Sequence, residues 1–497
     1  MAKILQINPS DDVAVAMDLL SPGERIGDLT IHDAIPAGHK VALHDISAGE
    51  QIKKFGYSIG VARAPIKAGA WVHTHNLESN LNGRLEGMQF HPSMATDKPV
   101  ASIPLVFQGF RRTDGSVATR NEIWIVNTVG CVNRASEQIA AAANQQLAEL
   151  GVEGVYAFPH PFGCSQLGDD LQFTQKILAG LVNHPNAGAV LLLGLGCENN
   201  QMRLMLERLG PRDSRRIRYF NAQEVGDEIQ LGLRYIHELS EYARIFKRQP
   251  IPAGELILGG KCGGSDGFSG ITANPLVGMV ADRLVSYGGT ALISEVPEMF
   301  GAEQILLERA ADQNAFNNTL EMVNRFRDYY RKYNQPIDEN PSPGNIQGGI
   351  STLAEKSLGC VQKGGRSPIR QIVSYGDAAK PRLGGLALVE SPGNDGVSST
   401  AMTVAGAHIL LFTTGRGTPM GFPVPTIKIS SNSALAQRKN QWIDFDAGRL
   451  SQQGAAAQLL ADELFNLVLQ VASGEIRARN EINGCREIAI WKNGVTL

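Results

Sequence analysis

The sequence predicts an α/β protein in which a small all-β module precedes two lobes built on mostly parallel, Rossmann-like sheets. Glycine turns repeat up to Val72, and apolar strands alternate with helices from about residue 104. The predicted boundaries are 1–80 for the β module, 81–103 for a linker, 104–250 for the first α/β lobe and 251–497 for the second. One extended sheet is the alternative to two lobes.

The β module rests on a repeat of an apolar residue, a turn ending in glycine, two variable residues and another apolar residue. The four copies cover 20–26, 35–41, 46–52 and 66–72. Each copy predicts a short strand beside a glycine turn. The period is too short and irregular for a helical solenoid.

A polar, turn-rich stretch at 76–103 predicts the linker, and the pattern changes after it. In the first lobe, strands are expected at 123–126, 155–158, 189–193 and 217–220, with helices near 134–150, 169–181, 199–209 and 226–246. In the second lobe, strands are expected at 256–258, 290–294, 386–389, 409–412 and 426–429, with helices near 275–286, 301–333 and 455–473. Strands that alternate with helices predict parallel sheets covered on both faces.

Composition limits the possible partners and location. The 497 residues are 43% hydrophobic and 19% charged, with a formal net charge of −3. Because no long run of like charge occurs, nucleic acid and anionic membranes are poor candidates as partners. No secretory leader and no membrane-spanning apolar run are evident, which favours the cytoplasm. The six cysteines are therefore expected to be thiols or metal ligands.

Four cysteines follow the predicted ends of strands: Cys131, Cys164, Cys197 and Cys262. Ligands of open α/β sheets bind outside the carboxyl ends of the strands, so these thiols could converge on one crevice. The alternative is that each is a small buried apolar residue near a helix start.

Glycine-rich turns occur at the same predicted edge. The segment 259–267 could form a nest of backbone N–H groups for a carboxylate or phosphate, although it matches neither a Walker motif nor a dinucleotide fingerprint. Arg416 lies between two glycines and could clamp a carboxylate. The alternative is that these segments are only tight turns.

Histidines and carboxylates add candidate metal ligands. His73 and His75 are two residues apart, so on a strand both imidazoles would point to one face and could share a metal. Glu295 and Glu298 follow a predicted strand and could act as a base or as metal ligands. Helix capping is the alternative for these two carboxylates.

Several long motifs resemble the altronate/galactarate dehydratase family. They are 194–201, 262–275, 294–303, 339–345, 356–360 and 414–419, and the resemblance extends over nearly the whole chain to 491–497. The N-terminal repeats resemble the SAF module of that family, a small β-clip domain. Within the family, His73-Thr-His75-Asn76 is similar to the altronate and sulfolactate branches.

The resemblance implies a reaction and a cofactor. The reaction is dehydration of D-altronate to 2-dehydro-3-deoxy-D-gluconate in hexuronate catabolism. The implied cofactor is Fe²⁺, with Mn²⁺ as a possible substitute. The substrate is then a small sugar acid, and a homodimer is the default assembly.

The chemistry assigns roles to the candidate residues. Removal of the C2 proton needs a cation near the substrate carboxylate, and loss of the 3-hydroxyl needs an acid or a metal. The predicted metal ligands are His73 and His75 with Cys131, Cys197 or Glu298. The predicted substrate contacts are Arg416, Gly263 and Gly264 for the carboxylate and Asn394, Asp395 and Asn199 for hydroxyls. The candidate bases are, in order, Lys261, Glu298 and Asp266.

Three alternatives remain open from the sequence. Cys131, Cys164 and Cys197 could carry an iron–sulfur cluster with one open iron, which would replace the single ion as the Lewis acid. The SAF module could belong to a carbohydrate-binding or sensing protein without catalysis. The substrate could be another acid of the family, such as galactarate or sulfolactate.

Overall fold

The computed structural model describes residues 3–81, 83–91, 105–451 and 456–497. Most of the predicted linker at 81–103 lies outside these residues. In the described part, no helix is long and apolar enough to span a membrane.

The N-terminal module consists of short antiparallel strands, as the repeat predicts. Its strands are β1 (Ile4–Leu5), β2 (Val13–Ala16), β3 (Arg25–Ile26), β4 (Leu29–Thr30), β5 (Lys40–Ala42), β6 (Gln51–Lys54), β7 (Tyr57–Ala62), β8 (Trp71–Val72) and β9 (Leu77–Glu78). They form sheets ordered β1-β2-β5-β8 and β6-β7-β9 and the ribbon β3-β4. The repeat glycines Gly23, Gly38, Gly49 and Gly69 all have φ between 78° and 84°, so each turn needs the left-handed conformation that glycine tolerates.

The next part of the chain contains a parallel sheet covered by helices. Its strands are β10 (Val106–Arg111), β11 (Val117–Ala118), β12 (Glu122–Asn127), β13 (Val155–Phe158), β14 (Ala187–Gly194) and β15 (Ile217–Asn221). Its helices are α1 (Asn133–Asn144), α2 (Leu147–Leu150), α3 (Gly168–Asn183), α4 (Met202–Leu209) and α5 (Glu228–Ala243). The parallel sheet has the order β13-β12-β14-β15. Every residue of β12 and β14 is buried, as expected for a sheet covered on both faces.

The rest of the chain forms a larger parallel sheet with the order β19-β20-β18-β17-β21-β22-β23. Strand β16 (Gln249–Pro252) lies outside this sheet and pairs with β10. The strands of the sheet are β17 (Ile257–Cys262), β18 (Thr290–Ile293), β19 (Ile369–Val373), β20 (Leu386–Val389), β21 (Ile409–Thr414), β22 (Thr426–Ser430) and β23 (Phe445–Asp446). The helices are α6 (Ala273–Ser286), α7 (Glu303–Leu307), α8 (Gln313–Lys332), α9 (Pro343–Gln347), α10 (Leu353–Cys360), α11 (Asp395–Val404), α12 (Ser433–Arg438), α13 (Ala457–Ala472) and α14 (Arg479–Ile482).

Strand β17 is longer than the sequence predicts. The expected end was Leu258, but the strand continues through the glycine pair to Cys262. At Gly259 a Cβ would lie 2.5 Å from Cδ2 of Leu410, so glycine here allows close strand packing. Lys261 and Cys262 are therefore strand residues, and the turn starts at Gly263.

The two parallel sheets share packing and are joined by the end of the chain. Trp124 of β12 and Phe412 of β21 belong to one buried apolar cluster. Strand β10 pairs with β16, across the predicted boundary at residue 250. The segment after α13 returns to the first sheet, where Arg486 forms a bidentate ion pair with Glu122 at 2.9 and 3.0 Å.

Candidate active site

A buried group of thiols and carboxylates lies at the carboxyl ends of β17 and β18. Cys262, Glu295, Glu298 and Cys360 each offer one ligand atom, and these atoms all lie within 4.8 Å of one another. Among the described residues, no other group of three or more His, Cys, Asp or Glu side chains has its ligand atoms this close together. Sulfur and carboxylate oxygen are both metal ligands, so this cluster could bind a metal ion.

Three parts of the chain around the second sheet bring these side chains together, namely β17, the segment after β18 and α10. Cys262 is the last residue of β17, and Cys360 is the last residue of α10. Glu295 follows β18 and has φ of 73°, a left-handed conformation that is uncommon for a residue other than glycine. The next residues form the short 3-10 helix Val296–Met299, which carries Glu298 into the cluster.

Three lysines surround the cluster, of which Lys261 and Lys363 are buried and Lys356 is partly exposed. Lys261 forms ion pairs with Glu295 and, at 2.9 Å, with Asp395. The Nζ atom of Lys363 lies 2.8 Å from Sγ of Cys262 and 3.0 Å from Oε2 of Glu295. Lys356 pairs with Glu298 at 2.9 Å. The acidic groups of the cluster are thus neutralised by ammonium groups.

These contacts fix the protonation states of the charged residues. Burial opposes the charge of Lys261, but Glu295 and Asp395 outweigh it and raise the pKa of this lysine. The pKa of Lys363 is likewise raised, because Cys262, Cys360 and Glu295 outweigh its burial. Burial also opposes the charge of Glu298, yet Lys356 and Lys261 lower its pKa to about 2. The lysines are therefore ammonium ions and Glu298 is a carboxylate at neutral pH.

The two thiols of the cluster differ in their tendency to ionise. Their sulfur atoms lie 2.8 Å apart, and Sγ of Cys360 also donates to Glu298 at 2.9 Å. The hydrogen bond between the two sulfur atoms lowers the pKa of Cys262, whereas the same interaction and burial raise the pKa of Cys360. Cys262 is accordingly the more readily ionised thiol of the pair.

The histidine pair lies in a turn and not on a strand. Strand β8 ends at Val72, and the side chain of Asn76 closes the turn by accepting from the N–H of His73 and donating to the carbonyl of Trp71, each at 2.9 Å. The alternation expected for a strand therefore does not apply. The imidazole of His73 stacks on Trp71, and that of His75 lies tilted against the same indole.

His73 reaches the second α/β part of the chain. It is buried, and its Nδ1 atom lies 2.8 Å from Oγ of Ser351. Burial and the charge of Lys40 lower the pKa of His73 to about 4, so the ring is neutral at physiological pH. The structure does not bring the predicted metal ligands His73, His75, Cys131 and Cys197 within 4.8 Å of one another. Cys131 and Cys197 are exposed at the edge of the first sheet.

The predicted carboxylate contacts lie beside the cluster, where some of their groups already have partners. The N–H of Gly263 donates to the carbonyl of Thr413 at 3.0 Å, and the carbonyl of Gly264 accepts from the N–H groups of Gly415 and Arg416. The Arg416 guanidinium donates to Oε1 of Gln347 at 2.7 Å. Arg416 therefore borders the turn after β17, as its predicted role requires.

The residues predicted to contact substrate hydroxyls and the third candidate base, Asp266, lie at different elements of the fold. Asn394 caps α11 by accepting from the N–H of Val397, and Asn199 accepts from the N–H of Ser165 at the first sheet. Asp266 accepts from Ser269, Ser431 and Asn432, which together occupy both of its carboxylate oxygens. Asp395, by contrast, keeps 36% of its side chain exposed beside Lys261.

Several residues of the cluster were missed by the sequence analysis. Cys360, Lys356 and Lys363 come from α10 and the turn after it. The motif 356–360 contributes to the family resemblance, but no local pattern there indicates chemistry. A usable signal was the spacing of Lys356 and Cys360, four residues apart, which places both side chains on one face of a helix.

Family models match three consecutive parts of the chain. The model described as "Altronate/galactarate dehydratase SAF domain" matches residues 2–80. The model for "D-galactarate dehydratase/Altronate hydrolase, second domain" matches 109–244, and "D-galactarate/Altronate dehydratase, C-terminal" matches 253–496. The protein is thus a hydro-lyase, an enzyme class that eliminates water. It belongs to the D-galactarate/altronate dehydratase family and carries the SAF domain of that family at its N-terminus.

Full-length relatives agree with this assignment. The chain is 46% identical to "Altronate dehydratase" of Escherichia coli (strain K12) over 501 residues, which are 99% of each chain. It is 43% identical to "Altronate dehydratase" of Bacillus subtilis (strain 168) over 502 residues, covering 100% of both chains. Identity to "Galactarate dehydratase (L-threo-forming)" of Escherichia coli (strain K12) is 33% over 498 residues, covering 95% of this chain and 93% of the relative.

Proposed function

We propose that the protein dehydrates D-altronate to 2-dehydro-3-deoxy-D-gluconate, a step of hexuronate catabolism. The observation that carries this proposal is the buried Cys/Glu cluster with its three lysines, one of which, Lys261, also pairs with the partly exposed Asp395. The two relatives named altronate dehydratase support the substrate, because both match the chain over nearly its full length.

The cluster fits the metal that the family resemblance implies. We propose that Cys262, Glu295, Glu298 and Cys360 hold Fe²⁺, with Mn²⁺ as a substitute, because iron accepts sulfur ligands and both ions accept carboxylate oxygen. When bound, the ion supplies a Lewis acid that stabilises negative charge developing on the substrate carboxylate. Glu298 is ionised, and the lowered pKa of Cys262 favours the deprotonated form that metal ligands need.

The chain's own residues bind and orient the substrate in this proposal. Arg416 and the turn at Gly263–Gly264 lie next to the cluster, so they are proposed to hold the substrate carboxylate. Lys261 adds a fixed positive charge beneath Asp395. Asn394 caps α11, and Asp395 is the first residue of this helix. The side chain of Asp395 pairs with Lys261 and is partly exposed.

The acid and the base are proposed from the same group. The raised pKa of Lys261 favours a role as a proton donor over the predicted role as the base. The carboxylate of Asp395 lies 2.9 Å from Nζ of Lys261, and Asp395 is proposed to accept the C2 proton. Glu298 and Asp266 remain the other predicted bases, although the partners of Asp266 favour a structural role for it.

The remaining predictions concern the whole protein. The two parallel sheets are proposed to be two Rossmann-like lobes divided near residue 250, which follow an SAF domain at 1–80. A homodimeric assembly and a cytoplasmic location also stay predictions. Asn199 is proposed to contact substrate only if the two sheets face a common cleft, since it lies at the edge of the first sheet.

Turnover of sugar acids by the anaerobically purified, Fe²⁺-loaded enzyme tests the substrate. D-altronate is expected to give a 2-keto-3-deoxy acid faster than galactarate does, and sulfolactate is expected to release no sulfite. Turnover of galactarate or sulfolactate but not of D-altronate would reassign the substrate within the family.

Isotope exchange tests the base. In D₂O, the enzyme is expected to exchange the C2 hydrogen of unreacted D-altronate, and Asp395→Asn is expected to lose this exchange. If Asp395→Asn keeps the exchange and only raises KM, Asp395 reads a hydroxyl and the base is another residue.

A further inference from the structure

Three cysteines form a second group of thiols on the first sheet. Cys131, Cys164 and Cys197 each directly follow a glycine and lie just beyond β12, β13 and β14. These are neighbouring strands, since β12 pairs with β13 on one side and with β14 on the other. All three cysteines are exposed free thiols. The sheet therefore delivers three thiols to adjacent strand ends, which are about 4.8 Å apart from one strand to the next.

The three cysteine loops are hydrogen-bonded to each other in every pairwise combination. The N–H of Gly130 donates to the carbonyl of Phe162 at 2.8 Å, which joins the first loop to the second. The N–H of Asn200 donates to the carbonyl of Gly163 at 2.9 Å, which joins the third loop to the second. The Asn200 side chain also donates to the carbonyl of Thr128 at 2.9 Å and so joins the third loop to the first.

The glycines before the cysteines make this convergence possible. A Cβ at Gly163 would lie 2.1 Å from the carbonyl oxygen of Thr128, and one at Gly130 would lie 2.6 Å from that of His160. At Gly196, a Cβ would approach Oε1 of Gln223 to 2.9 Å. At Gly130 and Gly163, backbone thus packs directly on backbone and leaves no room for a side chain, which holds the loops of Cys131 and Cys164 against each other.

Three helix N-termini lie near the thiols. Each cysteine lies shortly before the start of a helix, namely α1 at Asn133, α3 at Gly168 and α4 at Met202. Helix N-termini stabilise thiolates, although Glu198 and the first-turn carboxylates of α3 offset part of this positive potential. The Gln223 amide also approaches Sγ of Cys197, at 3.5 Å.

The spacing of the sulfur atoms argues against a single ion. At a metal–sulfur distance of about 2.3 Å, two ligands of one tetrahedral ion lie about 3.8 Å apart. The three sulfur atoms are not all within 4.8 Å of one another. In an iron–sulfur cube each thiolate binds a different iron, so the sulfurs are spread farther apart.

We propose that Cys131, Cys164 and Cys197 bind a [4Fe–4S] cluster in which the fourth iron has no protein thiolate. This cluster is separate from the ion proposed at Cys262, because the two groups lie on different sheets. The proposal therefore does not depend on the identity of the substrate or on that ion.

Reconstitution with Fe²⁺ and sulfide under anaerobic conditions tests the proposal. The wild-type protein is expected to bind about four irons and four acid-labile sulfides per chain beyond any ion removed by chelator, with the visible absorption of an iron–sulfur cluster. The variant Cys131→Ser/Cys164→Ser/Cys197→Ser is expected to lose the sulfide and the absorption. Circular dichroism checks that this variant is folded, and each single serine variant gives a second measurement if it is not.

Matched controls separate this site from the other thiols. Cys485→Ser and Cys262→Ser/Cys360→Ser are expected to keep the full sulfide content. Absence of sulfide in the wild-type protein, or its retention in the folded triple variant, would overturn the proposal. Since sulfide content is measured without substrate, this result stands apart from the assay with D-altronate.

Discussion

Glu298 keeps its negative charge although it is almost completely buried. An isolated carboxylate in such a place would take up a proton, because burial disfavours the charged form. Lys356 at 2.9 Å and the nearby Lys261 and Lys363 reverse this preference. Lys261 and Lys363 also pair with Glu295, although burial still raises the pKa of that carboxyl group, so ammonium groups offset much of the negative charge that the cluster can carry.

Removal of the Glu298 carboxylate is expected to weaken the proposed metal site. Glu298→Gln should raise the dissociation constant for Mn²⁺ by more than about 10-fold, because one anionic ligand is lost. The signal of free Mn²⁺ in electron paramagnetic resonance measures this affinity without contribution from an iron–sulfur cluster. Glu390→Gln is the matched control, since Glu390 pairs with Arg325 outside the cluster. Equal Mn²⁺ affinity in both variants would contradict the assignment of Glu298 as a ligand.

Only part of the cluster could be predicted residue by residue. Lys261, Cys262, Glu295 and Glu298 follow strands, and the rule that ligands bind at the carboxyl ends of parallel strands draws attention to them. Cys360 and Lys363 come about 100 residues later, at the end of a helix, and Sγ of Cys360 meets Sγ of Cys262 only through the tertiary fold. No spacing in the sequence indicates a contact of that range.

The element that links the SAF domain to the cluster is α10. Two buried lysines of the SAF domain, Lys40 of β5 and Lys54 of β6, each approach the carboxylate of Glu355 to 2.8 Å. The next residue along the helix is Lys356, which pairs with Glu298, and the helix ends at Cys360. The SAF domain therefore holds the helix that supplies two groups of the site.

Loss of the Glu355 charge is expected to destabilise this contact. Burial would raise the pKa of Glu355, but Lys40 and Lys54 lower it to about 2. Its charge therefore stabilises the fold above the unfolded pKa of about 4.5, and this contribution is lost as the pH falls toward 2. Glu355→Gln should lower the free energy of unfolding by about 3 kcal/mol at pH 7, because two buried ammonium groups lose their partner.

Urea unfolding at several pH values measures this effect. The difference between Glu355→Gln and the wild type should be full at pH 7 and should shrink as the pH falls below about 4.5. Glu463→Gln is the control, because Glu463 forms an exposed pair with Arg449 that contributes little. A difference that stays constant down to pH 3 would show that Glu355 does not act through its charge.

At the level of elements, the sequence predicts whether a segment is a helix or a strand better than it predicts where that element begins and ends. The strands at 155–158 and 217–220 match β13 and β15 closely, because continuous apolar runs between turns leave few alternatives. The turn at His73–Asn76 and the glycine pair inside β17 differ from prediction. The turn is closed locally by the side chain of Asn76, whereas the glycine at 259 is required by close packing against the distant Leu410.

Over the whole molecule, the two parallel sheets are not independent. Glu122 of β12 is fully buried, accepts from Trp124 and forms a bidentate pair with Arg486. Arg120 forms a second buried pair with Glu481. A domain boundary near residue 250 stays a prediction from the break in the strand–helix pattern, whereas this return of the chain could not be predicted, because it depends on ion pairs between distant segments.

A double-mutant cycle on the Glu122–Arg486 pair tests this connection. Arg486→Met alone should lower the free energy of unfolding by about 3–5 kcal/mol, because it leaves a buried carboxylate without its cation. The double variant Glu122→Gln/Arg486→Met should lose less than Arg486→Met alone. Urea unfolding followed by circular dichroism measures these variants and Glu122→Gln alone, and a loss in the double variant equal to the sum of the two single losses would show that the side chains do not stabilise each other.

The same ion pair sets an order of events during protein synthesis. Arg486 follows Glu122 by 364 positions, so the ribosome completes the strands of the first sheet long before it makes the partner of their buried carboxylate. Until then, Glu122 at the start of β12 lacks its cation, and burial favours the protonated form of its carboxyl group. The bidentate contact between the first sheet and the end of the chain therefore forms only after nearly the whole chain has been synthesised.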